Sequence, residues 1–391
     1  MKVTIVGGGF GGVKAALELA EHPNNHVTLI SDKPDFQYYP ALFATATGHS
    51  HRQSWIPLET IFDDWPNVEL ITDEIVKLHP DTRQLVGKQG TYDYKTLILA
   101  LGSVTTYFGI EGLDTFSYGI KSQDEIRRLQ NHLFEEMRDG SDDEKNYVII
   151  GGGATGVELA GALGEYLLVL RRHFGIRKKR LRITLVEAAP RLLPRLSEST
   201  SRKAAARLKR LGVHVETDKK VERQTAESLM VSGRPLSTQT VIWTSGVTNA
   251  PFFNNNSEHF TINERGKVVV DEFMRARTGI YVIGDNAATP YAGLAQTALH
   301  DAQFVVRHLN GSKKTYRPVQ PASVIPIGHH WAVFEWGRLR FAGWLGGFMR
   351  MSADLIGYHD VLPIGWAVKA WRSQDKQELR IPDEPAILEE G

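Results

Sequence analysis

Two glycine-rich turns of identical spacing, 144 residues apart, constrain this chain more than any other feature. The first is Gly7-Gly8-Gly9-Phe10-Gly11-Gly12, directly after Val3-Thr4-Ile5-Val6. The second is Gly151-Gly152-Gly153-Ala154-Thr155-Gly156, directly after Val148-Ile149-Ile150. Each fits G-x-G-x-x-G between a strand and a helix, the turn that lays a dinucleotide pyrophosphate on a helix N-terminus. The glycines let the backbone approach the phosphates, and the helix end supplies unpaired N–H groups and partial positive charge. One such turn is weak evidence. Two, each opening a βαβ unit, predict two bound dinucleotides, most simply a flavin and a nicotinamide.

The residue ending the second strand of each unit carries the next signal. Val27-Thr28-Leu29-Ile30 predicts a strand running into Ser31-Asp32-Lys33. Asp32 lies 20 residues past Gly12, the expected place for an acid on a ribose hydroxyl pair. Ser31 is the alternative, since the register is open by one residue. In the second unit the strand over 181–186 ends at Glu187, 31 residues past Gly156. A carboxylate there accepts from an unmodified ribose and repels a 2′-phosphate, which favours NADH over NADPH. The extra length is residues 171–180, with six Lys or Arg in ten, read as an insertion. Its bland reading is a solvated helix end, and its alternative a contact with anionic lipid headgroups. Together with Arg191 it is close enough in sequence to blunt the preference for NADH.

Further strands are predicted over 97–100 and 279–283, and helices over 13–21, 123–138, 157–170 and 295–309. Residues 68–100 read as a small antiparallel meander. Gly284-Asp285 at a strand tip suits an acid receiving flavin ribityl hydroxyls. Ala295-Gln296 opens a helix whose N–H groups would face the electron-rich edge of a flavin ring. Glu158 lies two residues beyond the last glycine of the second turn, near where a nicotinamide would stack; otherwise it simply complements the helix dipole. His300, four residues after Gln296, shares its helix face and is a candidate proton donor, although a lone histidine is more often structural.

Residues 331–373 differ in kind. They hold five of the eight tryptophans, interleaved with arginine and lysine, and an apolar stripe over 341–356 suits a helix lying in a membrane interface. A packed core helix or a dimer interface are the bland readings. No run approaches the roughly 18 residues needed to span a bilayer, and the N-terminus enters a strand without a leader pattern, so a cytoplasmic location is expected. The net charge of +1 gives no reason to expect nucleic-acid binding. The chain contains no cysteine, which excludes a redox dithiol and thiolate metal sites; no metal is expected.

Taken together, these motifs resemble the type II NADH dehydrogenases, single-subunit flavoprotein NADH:quinone oxidoreductases of the two-dinucleotide-domain class that includes the glutathione reductases. The most specific matches are residues 151–163 (GGGATGVELAGAL), 186–194 (VEAAPRLLP), 241–251 (VIWTSGVTNAP), 40–48 (PALFATATG), Ala295-Gln296 and the region 328–371. The resemblance implies an α/β fold of two Rossmann-like domains, glutathione-reductase-like, plus a C-terminal membrane-surface segment. Residues 1–110 and 247–330 would bind FAD, 111–246 would bind NADH, and 331–391 would anchor or dimerise, ending in a loose acidic tail. FAD would lie on Gly7, Gly9, Phe10, Gly11, Gly12, Ser31, Asp32, Lys33, Ala100, Gly102, Gly284, Asp285, Ala295 and Gln296. NADH would lie on Gly151, Gly153, Ala154, Thr155, Gly156, Glu158, Glu187 and Gly246. Glu158, Gln296 and His300 are the expected catalytic residues. The implied activity is NADH oxidation through FAD to a membrane quinone, without proton pumping, by a peripheral homodimer on the cytoplasmic face of the cell membrane. A soluble reductase of a small redox protein and an NADH-sensing flavoprotein are the alternatives. The chain departs from the family at His300-Asp301, where a second glutamine pair is usual, and at Asp354, His359 and Asp360 in the C-terminal region.

Overall fold

A computed structural model describes residues 1–139, 145–176 and 181–374. The last four residues of the basic segment and the acidic tail beyond Gln374 lie outside the described residues. Two largely parallel sheets carry the two glycine turns. The first has six strands in the order Arg275–Arg277, Ile280–Val282, Thr96–Leu99, Lys2–Val6, His26–Ser31, Val68–Thr72, with only the first pair antiparallel. The second has four parallel strands in the order Val213–Glu216, Leu181–Val186, Lys145–Ile150, Thr240–Trp243. In each sheet the strand before the glycine turn lies between its immediate successor and a later strand. The chain therefore leaves that point to both sides, and a crevice opens at the carboxyl ends of the strands.

The reading of 68–100 as one meander is corrected. Val68–Thr72 joins the parallel sheet beside His26–Ser31, and only 75–93 forms the antiparallel meander. Alternation of the sequence alone does not distinguish an edge strand of a parallel sheet from the first strand of a hairpin. The helix Gln123–Arg138 begins at a complete capping box: Ser122 Oγ accepts from Glu125 N at 3.1 Å, and Glu125 Oε2 accepts from Ser122 N at 3.1 Å. Such a cap contributes about 1 kcal/mol. Its buried Leu129 and Leu133 pack in one core with Leu163 and Leu167 of the helix Ala154–His173.

The C-terminal region fastens the two halves together. A three-stranded antiparallel sheet, Ser323–Pro326, Ala332–Trp336 and Leu339–Gly343, precedes the helices Trp344–His359 and Ile364–Ser373. The apolar stripe over 341–356 is therefore not all helix: Phe341 sits in the last strand and stacks on Phe334, ring centroids 4.6 Å apart. Gly346 and Gly347 lower helix propensity, yet both are needed. A Cβ on Gly346 would strike the Ala332 carbonyl, and one on Gly347 would lie 2.6 Å from the His330 oxygen. Ile325, Ile327 and Val333 enter the core of the second sheet, whereas Tyr358, Val361 and Leu362 enter that of the first. Glu335 accepts from Ser197 Oγ at 2.6 Å and from Ser197 N at 3.1 Å, pinning the hairpin to the start of the helix Glu198–Arg210. The opposite face of the region is bare, with Trp344 77%, Ile356 64% and Phe348 60% exposed. Among the described residues no helix is long and apolar enough to cross a membrane.

Candidate functional site

Strand pairing superimposes the two turns residue for residue. Gly7 N donates to Ile30 O and Gly151 N to Val186 O, both at 2.8 Å. Ile30 pairs with Val6 as Val186 pairs with Ile150, and Leu99 with Val6 as Trp243 with Ile150. A Cβ on Gly12 would fall on the Gly7 carbonyl oxygen, and one on Gly156 on that of Gly151. Gly102 and Gly246, each three residues past the paired Leu99 and Trp243, both adopt a left-handed φ, +69° and +75°. The segments that follow them, Ser103–Thr105 and Val247–Asn249, pair with each other and connect the halves. The same pairing places Ser31, not Asp32, at the position of Glu187. Ser31 is buried with its Oγ beside Gly8, and Asp32 is exposed one residue further on.

The geometry of both turns fits a pyrophosphate. The helices Phe10–Ala20 and Ala154–His173 begin at Gly9 and Gly153, neither with a side-chain cap. The first N–H groups of each helix therefore have no local acceptor. No atom lies within 4 Å of where a Cβ on Gly9 or Gly153 would be, so the backbone is open to a ligand there. Phe10 instead turns inward, 5.0 Å from the Phe36 ring. Ala100 closes the floor of the first turn: a Cβ on Gly7 would meet its carbonyl.

Around the first turn, the structure adds residues that sequence reasoning missed. Asn286, wholly buried, accepts from Gly102 N at 3.0 Å and donates to Gly102 O at 2.6 Å. Asp285 accepts from Ser103 Oγ at 2.6 Å, and the Lys267 ammonium donates to the Asp285 carbonyl. Ala295 begins its helix as expected, and Gln296 and His300 do share a face. That face lies against the returning chain: Gln296 Nε2 donates to Ala322 O at 3.3 Å, and His300 Nε2 is 3.0 Å from Arg317 O.

In the second turn Glu187 holds the loop. One carboxylate oxygen accepts from Gly152 N at 2.5 Å and the other from Ala189 N at 2.7 Å. Arg191 does not reach it; its guanidinium donates to Leu193 O at 3.2 Å and Pro194 O at 2.7 Å. Glu158 meets a partner from far along the chain. Arg350 Nη1 lies 3.5 Å from Glu158 Oε1, while Arg350 Nε lies 2.7 Å from Asp354 Oδ2. The same guanidinium donates to Pro40 O at 2.7 Å and Val324 O at 3.4 Å. Asp354 also accepts from Tyr38 OH at 3.3 Å, and the Tyr38 ring stacks on Tyr358 at 4.0 Å. Burial works against the Arg350 charge, but Asp354 and then Glu158 outweigh it and raise its pKa.

Burial pushes Glu158 up to about 8; Arg350, closer to Asp354, pulls it back only in part, and Asp354 adds repulsion. The folded chain thus keeps a proton on Glu158 that the unfolded chain loses near 4.5. Folding stability should therefore fall as pH rises between about 5 and about 8. Glu158→Gln should flatten that slope, by on the order of 4 kcal/mol across the window. Urea midpoints at the two ends of the window, for wild type and variant, measure this. Equal slopes in both proteins would show Glu158 already ionised at neutral pH.

Residues 1–302 match the model of the family described as pyridine nucleotide-disulphide oxidoreductase. The type II NADH:quinone oxidoreductase NdhA of Mycobacterium tuberculosis is 28% identical, over 95% of this chain and 86% of that protein. The type II NADH:quinone oxidoreductase of Staphylococcus aureus is 26% identical, over 94% and 98%. Among solved structures, NDH2 from Plasmodium falciparum in complex with NADH superimposes with a TM-score of 0.81 at 17% identity, covering 95% of this chain and 97% of that one. A ferredoxin reductase from Rhodopseudomonas palustris gives 0.71 at 22%, covering 85% and 81%. With two superimposable dinucleotide turns and no cysteine, similar over nearly its whole length to type II NADH:quinone oxidoreductases, the chain belongs to the pyridine nucleotide-disulphide oxidoreductase family.

Proposed function

We propose that this chain is an FAD-dependent NADH:quinone oxidoreductase that oxidises NADH and reduces a membrane quinone without pumping protons. The observation that carries it is the superposition of the two turns with different residues at the equivalent strand end, Ser31 in one and Glu187 in the other, which supports different ribose partners for the two sites. Bound on the first turn, FAD would supply the two-electron redox chemistry that links NADH oxidation to quinone reduction. Gly7, Gly9, Gly11 and Gly12 give that turn its close backbone approach, with Ser31 and Asp32 on the ribose side. Gly102, Asp285 and the start of the helix Ala295–Leu309 border the rest of that site. The second turn holds NADH, with the Glu187 carboxylate accepting from the ribose hydroxyls in exchange for its loop N–H groups. Glu158 and Gly246 flank the nicotinamide end, and Glu158, protonated at neutral pH, keeps a proton at that end of the crevice. The missing cysteines leave no dithiol through which electrons would pass.

The bare face of Trp344, Phe348, Ile356 and Trp366 rests on the membrane surface in this reading, on the cytoplasmic side. A soluble reductase for a small redox protein gives that aromatic face no role. Under anaerobic conditions NADH should bleach the flavin absorbance, and a menaquinone or ubiquinone analogue should restore it. Bleaching with no recovery by either quinone would sink the acceptor assignment. Reduction by NADPH as fast as by NADH would remove the role given to Glu187.

A further inference from the structure

Asp301 takes no part in the chemistry above, yet its side chain is wholly buried in the second turn of the helix Ala295–Leu309. A carboxyl is almost never buried unless it is satisfied. Here one oxygen accepts from Gly284 N at 3.0 Å and the other from Tyr316 OH at 2.6 Å. Gly284 opens the short turn Gly284–Asn286, whose next two residues reach Ser103 and Gly102. The turn is thus gripped on one side by the loop after Thr96–Leu99 and on the other by Asp301. Tyr316 comes from the returning chain and is itself tied by its N–H to Glu272 O at 2.7 Å.

We propose that Asp301 is a positioning residue for the first dinucleotide site, fixing the Gly284–Asp285 turn so that Asp285 meets the flavin side chain at the right height. The inference rests on the reading of that site as the FAD site. An amide or apolar side chain at this position would leave the turn without an ionised acceptor, and hydrogen bonds to charged groups are about twice as strong as neutral ones. The charged and titratable groups around it are His300 on its own helix, Tyr316 on the returning chain, and Asp285 with Lys267 across the turn. Burial raises the Asp301 carboxyl to about 6, with the Tyr316 and Gly284 hydrogen bonds and His300 pulling it down. Protonation converts one acceptor into a donor that faces either Tyr316 OH or Gly284 N–H. The grip on the turn therefore loosens as the pH falls through this value.

The test is release of FAD from the full-length holoprotein, followed by recovery of flavin fluorescence after dilution, from pH 5 to pH 8. Wild type should hold FAD about ten-fold less tightly at pH 5 than at pH 7.5, the size of one charge-assisted hydrogen bond. Asp301→Ala should be about ten-fold weaker at pH 7.5 and nearly flat with pH. Asp301→Asn, which keeps the shape but cannot ionise, should hold FAD at pH 7.5 no better than wild type does at pH 5 and stay flat, and Tyr316→Phe should fall between wild type and the alanine variant. Wild-type affinity in Asp301→Ala, or an unchanged pH dependence in Asp301→Asn, would overturn the inference while leaving the FAD site intact. A wild-type protein that bound no flavin would overturn the parent reading.

Discussion

Alanine at Gly12 should give a folded chain that holds flavin about 100-fold more weakly, whereas alanine at Gly156 should leave flavin in place and slow its reduction by NADH about 100-fold. The reasoning starts from one contact made twice. A Cβ at either position would land on the carbonyl oxygen that opens its own turn, Gly7 or Gly151. At Gly156 it would also lie 2.7 Å from Thr244 Oγ1. These neighbours are backbone or a short side chain, so the helix start must shift instead. Overpacking of this kind costs about 1–3 kcal/mol, and a shift at the helix start turns the N–H groups away from the pyrophosphate. A hundred-fold loss corresponds to about 2.7 kcal/mol. Alanine at Gly9 or Gly153 makes the contrast: a Cβ there meets no protein atom within 4 Å, so stability should hold while the ligand's approach is blocked. Bound flavin per chain, stopped-flow bleaching by NADH and thermal midpoints separate these outcomes. If Gly156→Ala lost its flavin as readily as Gly12→Ala, the assignment of separate ligands to the two turns would fail.

What the sequence disclosed and what it hid follow the distance over which each signal acts. The glycine turns, the helices after them and the acid at Glu187 are local patterns, set by backbone approach and by strand and helix periods; the two helices begin three residues earlier than expected, at Phe10 and Ala154, and Glu187 ends its strand despite the longer spacing. The choice between Ser31 and Asp32 was invisible for a one-residue reason: only the pairing of Val6 with Ile30 fixes the register, and that pairing involves strands separated by a helix. Asn286 read as an unremarkable polar residue, because its Gly102 partners are backbone groups that carry no sequence signature, and Asp301 stood out only as a departure from the family, with nothing in the sequence to join it to Gly284 N or Tyr316 OH. The Arg350 cluster was hidden most completely. Its partners lie 192 residues away at Glu158 and 310 away at Pro40. Asp354 looked like a flaw in an apolar segment, yet it is the residue that makes a buried arginine there tolerable. A signal was present in retrospect: Arg350 and Asp354 stand four apart on a helix whose other face is aromatic and exposed. An ion pair at that spacing on the inward face implies a polar partner facing it.

Arg350→Met should be the most destabilising single change in the C-terminal region, on the order of 3–5 kcal/mol. The methionine fills comparable space, so the loss comes from charge and not from a cavity. Two inward carboxyls, Glu158 and Asp354, would be left without their cation, and the carbonyls of Pro40 and Val324 without a donor. Those four groups belong to the second glycine-turn helix, the Trp344–His359 helix, the segment after Tyr38 and the hairpin, so the damage should spread over the seam between the halves. Hydrogen exchange should rise through 344–373 before it rises in either parallel sheet, because local opening of the seam needs less free energy than global unfolding. A charge origin makes a further demand. Adding Asp354→Asn to Arg350→Met should recover part of the loss, since it removes the stranded carboxylate while Glu158 carries its proton, and the double-mutant cycle should return a coupling of about 1–3 kcal/mol. Asp354→Asn alone should be the milder variant, because Arg350 keeps Glu158 and two carbonyls, and Asn still accepts from Tyr38. If the two changes simply added, Arg350 would be acting through the packing of its stem against Phe43, whose ring centre lies 5.9 Å from the guanidinium carbon. The ion-pair account of the seam would then be wrong.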